Sequence, residues 1–197
     1  MKSSQHGGEG LRGGTKLIKR ITRIVAALAL CLAAATQAYA GNYIGVSAVN
    51  FDQRITVPGA SDRGSSTGSM VELGSDLNEL LAVEIRFGGT QTAHFSKIGA
   101  SQNVTLYSYL LRARLPISSS LWIYGLWGLT TGQATPGGSL VGSDVKRDST
   151  SYGGGLLMQG MHWGAGVEWM RYWHNVNVGP GINITIDSIA GTLSYAF

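Results

Sequence analysis

From Asn42 to Phe197 apolar residues recur at alternate positions, in stretches of about ten residues separated by Gly, Ser, Asn, Asp and Pro. Period two puts successive side chains on opposite faces of an extended chain. Ten or so such residues is also about the length at which a tilted strand crosses a bilayer. Eight segments follow the pattern: Asn42–Phe51, Ser66–Ser75, Leu80–Gly89, Asn103–Leu115, Leu121–Thr131, Thr150–Met161, His162–Trp173 and Ile184–Phe197. None sustains a helical period. Glycines inside them (Gly125, Gly128, Gly153, Gly154, Gly155, Gly164, Gly166) would weaken an open soluble sheet, but relieve crowding in a narrow, strongly curved barrel.

The connections alternate in length. Asp52–Ser65, Thr90–Gln102, Gly132–Ser149 and His174–Asn183 are long and polar, whereas Asp76–Glu79, Pro116–Ser120 and the Met161-His162 junction are short. Long loops outside and tight turns in the periplasm are the habit of outer-membrane barrels. The fold class expected is therefore all-β, an eight-stranded antiparallel up-and-down transmembrane barrel. An even strand count brings both ends to the periplasmic side. A periplasmic lipocalin-like barrel would need a polar exterior, and Trp163, Trp169, Ile189 and Leu193 do not supply one.

Alternation assigns faces on four strands. Leu81, Val83, Ile85 and Phe87 point outward, with Glu84 and Arg86 inward; Tyr107, Tyr109, Leu111, Ala113 and Leu115 point outward, with Ser108, Arg112 and Arg114 inward. Trp163, Ala165, Val167 and Trp169 share an outer face opposite Glu168, and Ile189, Leu193, Tyr195 and Phe197 share another. The first, fifth and sixth segments are apolar or glycine on both faces and stay unassigned. The inward set gathers Glu72, Glu84 and Glu168 with Arg86, Arg112 and Arg114, which are expected to pair because an unpaired charge there is costly. Two uses are open: a structural ion-pair plug, since eight strands leave room only for side chains, or a small gated pore.

Residues 1–40 read as a signal peptide and residues 41–197 as the barrel domain. Lys16, Lys19, Arg20 and Arg23 precede an apolar run from Ile24 to Ala35, and Ala38-Tyr39-Ala40 provides an A-x-A site, with cleavage between Ala40 and Gly41. The run is shorter than the roughly 20 residues of a spanning helix. After cleavage nine basic residues face ten acidic ones, a net charge of −1, so the basic character belongs to the leader and no nucleic-acid partner is expected. The single cysteine, Cys31, leaves as well, taking with it any disulfide, thiol ligand or thiol nucleophile.

Taken together, the export signal, the eight glycine-rich alternating strands, the tight turns after even strands and the terminal Tyr195-Ala196-Phe197 resemble the small outer-membrane barrels of the opacity-protein and OmpA-like kind. The resemblance spans Gly41–Phe197. It implies a bacterial outer-membrane location, a surrounding of outer-membrane lipid and lipopolysaccharide, and insertion by the barrel assembly machinery through a signal ending in Tyr195 and Phe197. It also implies a surface or envelope role in adhesion, host or environment contact, or membrane integrity. Extracellular ligands would then be met by the four long loops.

No catalytic, cofactor or metal site is expected. His162 and His174 lie a full strand apart with no carboxylate cluster, and Gly153-Gly154-Gly155 continues a strand and opens no helix. One enzymatic alternative has a specific basis. His94 and Ser96 fall on one face of an extended segment and resemble the His-x-Ser pair of outer-membrane lipid A deacylases, with Glu84 or Glu168 as the orienting acid. That chemistry needs the pair on a membrane-embedded strand, and the spacing puts it in the second long loop.

Overall fold

Nine strands form among the described residues, 41–138 and 144–197, of a computed structural model; the leader, Cys31 and Ala40 lie outside them. They are β1 (Asn42–Val57), β2 (Ala60–Asp76), β3 (Leu81–Thr90), β4 (Ala93–Phe95), β5 (Ala100–Pro116), β6 (Leu121–Gly138), β7 (Val145–Gln159), β8 (Trp163–Gly179) and β9 (Ile182–Ala196). All pairings are antiparallel. The sheet runs β3-β2-β1-β9-β8-β7-β6-β5, and a β3–β5 pairing closes it into an eight-stranded barrel. The short β4 adds to the outer end of β5. First and last strands meet, Tyr43 opposite Ala196, and the Phe197 N–H donates to the Asn42 carbonyl at 2.9 Å. Closure leaves the ring with no sheet edge to satisfy, the condition for strands to live in lipid.

The long connections differ from the sequence expectation. Asp52–Ser65 is strand except for a two-residue turn at Pro58-Gly59, with Val57 paired to Ala60 and Gly59 at φ 81°. His174–Asn183 is likewise strand up to a turn at Pro180-Gly181, and Thr90–Gln102 contains β4. Most of Gly132–Ser149 continues β6 and β7. These segments are polar outside and apolar inside, so an overall reading of polarity takes them for loops. Their physical role is to carry the barrel wall well past the bilayer.

On the third and fourth segments the outward residues are half-buried to exposed and alternate with buried inward ones. The outward residues of the last two are exposed, and the three unassigned strands resolve. Tyr43, Ser47, Val49, Phe51, Gln53 and Ile55 of β1 point inward, as do Tyr124, Leu126 and Thr130 of β6 and Ser151 and Leu157 of β7. Glycine made these strands ambiguous because its missing side chain marks neither face. Outside, Trp163 packs edge-on against Tyr195 (centroids 5.0 Å apart) at the end of the barrel that holds Asn42 and Phe197. Trp169 packs against Tyr152 (6.1 Å) further along. Six residues separate the two tryptophans, about 20 Å along a strand, so the pairs bracket an apolar band. Beyond the outer pair the exterior turns polar at Asn50, Asp52, Thr131, Thr150, Arg171 and Asp187.

Candidate functional site: the filled lumen

Two layers of side chains fill the barrel. The one nearer Asn42 and Phe197 is ionic. Glu72 of β2 lies directly opposite Arg86 of β3, and Glu84 sits two residues earlier on the same inward row. Arg86 bonds Glu84 through Nε and reaches across the lumen to Glu168 of β8 with both terminal nitrogens, Nη2 to Oε2 at 2.7 Å. Arg112 of β5 lies 2.6 Å from Glu84 and 3.7 Å from Glu72. Its guanidinium is stacked between the rings of Tyr43 (5.2 Å) and Tyr124 (4.7 Å). Those tyrosines donate in turn, Tyr43 to Glu84 at 2.6 Å and Tyr124 to Glu168 at 3.0 Å. Glu72 is more loosely held: Ser47 donates to it, and Arg86 approaches only to 4.0 Å.

Five of the six residues singled out from the sequence thus share one cluster, and the sixth does not. Arg114 points inward two residues closer to the periplasmic turn, where it pairs with Asp76 at 2.7 Å, donates to the Glu79 carbonyl and stacks over Trp122. Two residues on one face of a strand are about 7 Å apart, enough to place Arg114 at the mouth of the barrel. The central cluster therefore holds three carboxylates against two guanidinium groups. Tyr43 and Tyr124 are members that charge counting could not find. Their signal was alternation on strands whose faces stayed unassigned.

Above the ions lies an apolar layer that the sequence reading missed altogether. Phe51, Ile55, Phe95, Leu106, Met170, Tyr172, Trp173 and Ile186 are each at most 1 % exposed and pack in one cluster. Gln102 donates to Gln53 at 2.9 Å and Gln53 to Ser66 at 3.1 Å, which satisfies the amides threaded among them. Four of these residues, Ile55, Phe95, Trp173 and Ile186, lie in or at the edge of segments read as loops or strand ends. The signal was present in Phe51-Asp52-Gln53-Arg54-Ile55, whose alternation runs past the expected end of the first strand. The layer is latched from outside by Asp62, whose carboxylate accepts the N–H groups of Arg63, Lys97 and Ile98 at 2.8, 2.6 and 3.3 Å. Burial pushes that carboxyl up, but the three backbone donors win and hold it below the ordinary aspartate range.

The remaining candidates are placed without ambiguity. His94 and Ser96 are exposed, one on the outer face of β4 and the other just past it. His94 pairs with Ser101 and Glu84 with Leu110 along the same strand, nine residues or about 30 Å apart. Glu84 and Glu168 are committed to Arg86, so neither orients His94. His162 contacts the Ala196 carbonyl at 3.2 Å at the periplasmic end. No group of three His, Cys, Asp or Glu side chains suited to a metal occurs among the described residues. Tyr195 faces outward beside Trp163 on the closing strand, and Phe197, just past that strand, is exposed.

A closed eight-stranded barrel with an apolar belt and a filled lumen narrows the comparison to proteins built to sit in an outer membrane. Residues 24–197 match the family described as outer membrane protein beta-barrel domain. The chain belongs to that family. Among solved structures it resembles Neisserial surface protein A, at 13 % identity and a TM-score of 0.58 over 81 % of this chain and all of that one. It also resembles Ail, the attachment invasion locus protein of Yersinia pestis, at 17 % identity and a TM-score of 0.53 over 80 % of this chain and 99 % of Ail. The N-terminal barrel of Pseudomonas aeruginosa OprF aligns at 14 % identity and a TM-score of 0.50, with 80 % of this chain and 99 % of that one covered. At such identities the likeness speaks for the fold. No curated protein sequence matches it significantly. As a member of the family it is an integral protein of the bacterial outer membrane.

Proposed function

We propose that this barrel is a non-enzymatic, non-conducting envelope protein that works through the part of its wall standing beyond the outer leaflet. The observation that carries the reading is the double seal. An ion must pass both a dry apolar layer and a belt in which Arg86 and Arg112 already occupy the carboxylates. The ionic belt acts as a structural plug, with Glu72, Glu84, Glu168, Arg86 and Arg112 holding β2, β3, β5 and β8 together, and Arg114 closing the periplasmic mouth with Asp76.

The projecting strands make this surface stiff, and a stiff surface favours contact over capture by moving loops. Its partners in this reading are lipopolysaccharide and an extracellular ligand met at the outer rim, in an adhesive or envelope-stabilising role. The exposed Tyr195 and Phe197 are what the barrel assembly machinery reads, after cleavage between Ala40 and Gly41 removes the leader. The separation of His94 and Ser96 from Glu84 and Glu168, both committed to Arg86, counts against a deacylase. The protein purified from outer membranes and added to planar bilayers should give no sustained channel openings. Frequent, large openings would overturn the reading and require both layers to rearrange together.

A further inference from the structure

At the level where the exterior turns from apolar to polar, β2, β1, β9 and β8 carry a line of opposed charges. Asp52 lies directly opposite Asp187 across the β1–β9 pairing. Each has its own arginine on the far side: Arg63 is 3.2 Å from Asp52, and Arg171 bonds both oxygens of Asp187 at 2.6 and 2.8 Å. One step further out Arg54 lies directly opposite Arg63. Like charges face to face destabilise a strand pair. Yet both arginines are exposed, and Arg54 makes no ion pair or hydrogen bond among the described residues. The patch therefore holds three guanidinium groups and two carboxylates, with one guanidinium unspent.

Beside this line runs a groove of about 570 Å³. Its floor is Trp169 and Ile189 of the lipid-facing belt, and its rim is Asn50, Asp52, Arg63 and Ser65, with Asp187 between. Apolar below and polar above, it fits a ligand with the same division. Asn42 and Phe197 lie at the opposite end of the barrel, so the groove opens on the outer leaflet.

We propose that this groove binds a phosphorylated glycolipid of the outer leaflet, the lipid A part of lipopolysaccharide. An acyl chain lies along Ile189 and Trp169. The sugar hydroxyls donate to Asp52 and Asp187, which only accept, and a phosphate spans Arg54 and Arg63. Guanidinium forks take phosphate oxygens in bidentate fashion, and a phosphate between two of them removes their mutual repulsion. The carboxylates are what set the choice. Phosphatidic acid offers the arginines the same terminal phosphate, but brings no alcohol hydroxyl on its head to Asp52 and Asp187. The inference depends on the outer-membrane location and stands whether or not the lumen conducts.

The experiment is retention of added lipid by the detergent-solubilised, full barrel in native mass spectrometry. The probes are lipid A, lipid A stripped of its phosphates, and phosphatidic acid. Lipid A should be retained over both others. The double variant Arg54→Gln with Arg63→Gln should weaken retention about tenfold or more, the scale of losing charge-assisted hydrogen bonds. Lys146→Gln, an exposed charge on β7, should change it little. All three substituted side chains are exposed, and heat-modifiable gel mobility checks that each variant is folded. Equal retention of phosphatidic acid, indifference to the phosphates, or an equal loss in Lys146→Gln would each overturn the assignment.

Discussion

Replacing Arg86 with methionine removes the cation that joins β3 to β8 across the lumen. The consequences can be followed carboxylate by carboxylate. Glu84 keeps Arg112 at 2.6 Å and the Tyr43 hydroxyl at 2.6 Å. Glu72 loses only a contact at 4.0 Å. Glu168, buried and held by both terminal nitrogens of Arg86, is left with the Tyr124 hydroxyl alone. The cost is thus close to that of one orphaned buried carboxylate, about 3–5 kcal/mol, and not a multiple of it. Urea unfolding in detergent micelles, followed by tryptophan fluorescence and by gel mobility without boiling, measures it. Adding Glu168→Gln removes the orphaned charge and should recover most of the loss. A single-variant loss under about 1 kcal/mol, the scale of a solvated pair, would show that water fills the lumen and refute the dry belt. Failure of the double variant to recover would assign the cost to packing instead of charge.

Two glycines on β6 should respond in opposite ways. A methyl group on inward Gly128 would lie 2.0 Å from the Tyr109 carbonyl oxygen, whereas on outward Gly125 it meets nothing nearer than 3.9 Å. Gly128→Ala should therefore lose the heat-modifiable folded form and Gly125→Ala should keep it. Asp62 gives the pH prediction. Its folded pKa is lowered, so its contribution is complete above the ordinary aspartate value near 3.8 and is lost as pH falls through the lowered folded value. Amide exchange at Lys97 and Ile98 should accelerate selectively below about pH 4, as it should in Asp62→Asn at neutral pH. Uniform exchange across the barrel would show that the latch is not local.

Period-two alternation was enough to specify strands, antiparallel neighbours and which residues meet lipid, because a strand's faces are set by chain geometry alone. Leu81 to Phe87 and Tyr107 to Leu115 needed nothing further. The ionic belt was legible as far as membership, since Glu84, Arg86, Arg112 and Glu168 are charges at inward positions of membrane-length segments. Their partners were not. Arg114 shares its face with Arg112, and only the stagger between β2 and β5 gave it to Asp76 in place of the central carboxylates. Strand length was also left to the tertiary structure. Ile55, Phe95 and Trp173 sit among polar residues, and nothing local says that they point at one another. They become a core only when the ring closes and brings β1, β4 and β8 face to face. The line from Arg63 through Asp52 and Asp187 to Arg171 has the same origin, because its members are far apart in sequence and are brought together by register across four strands.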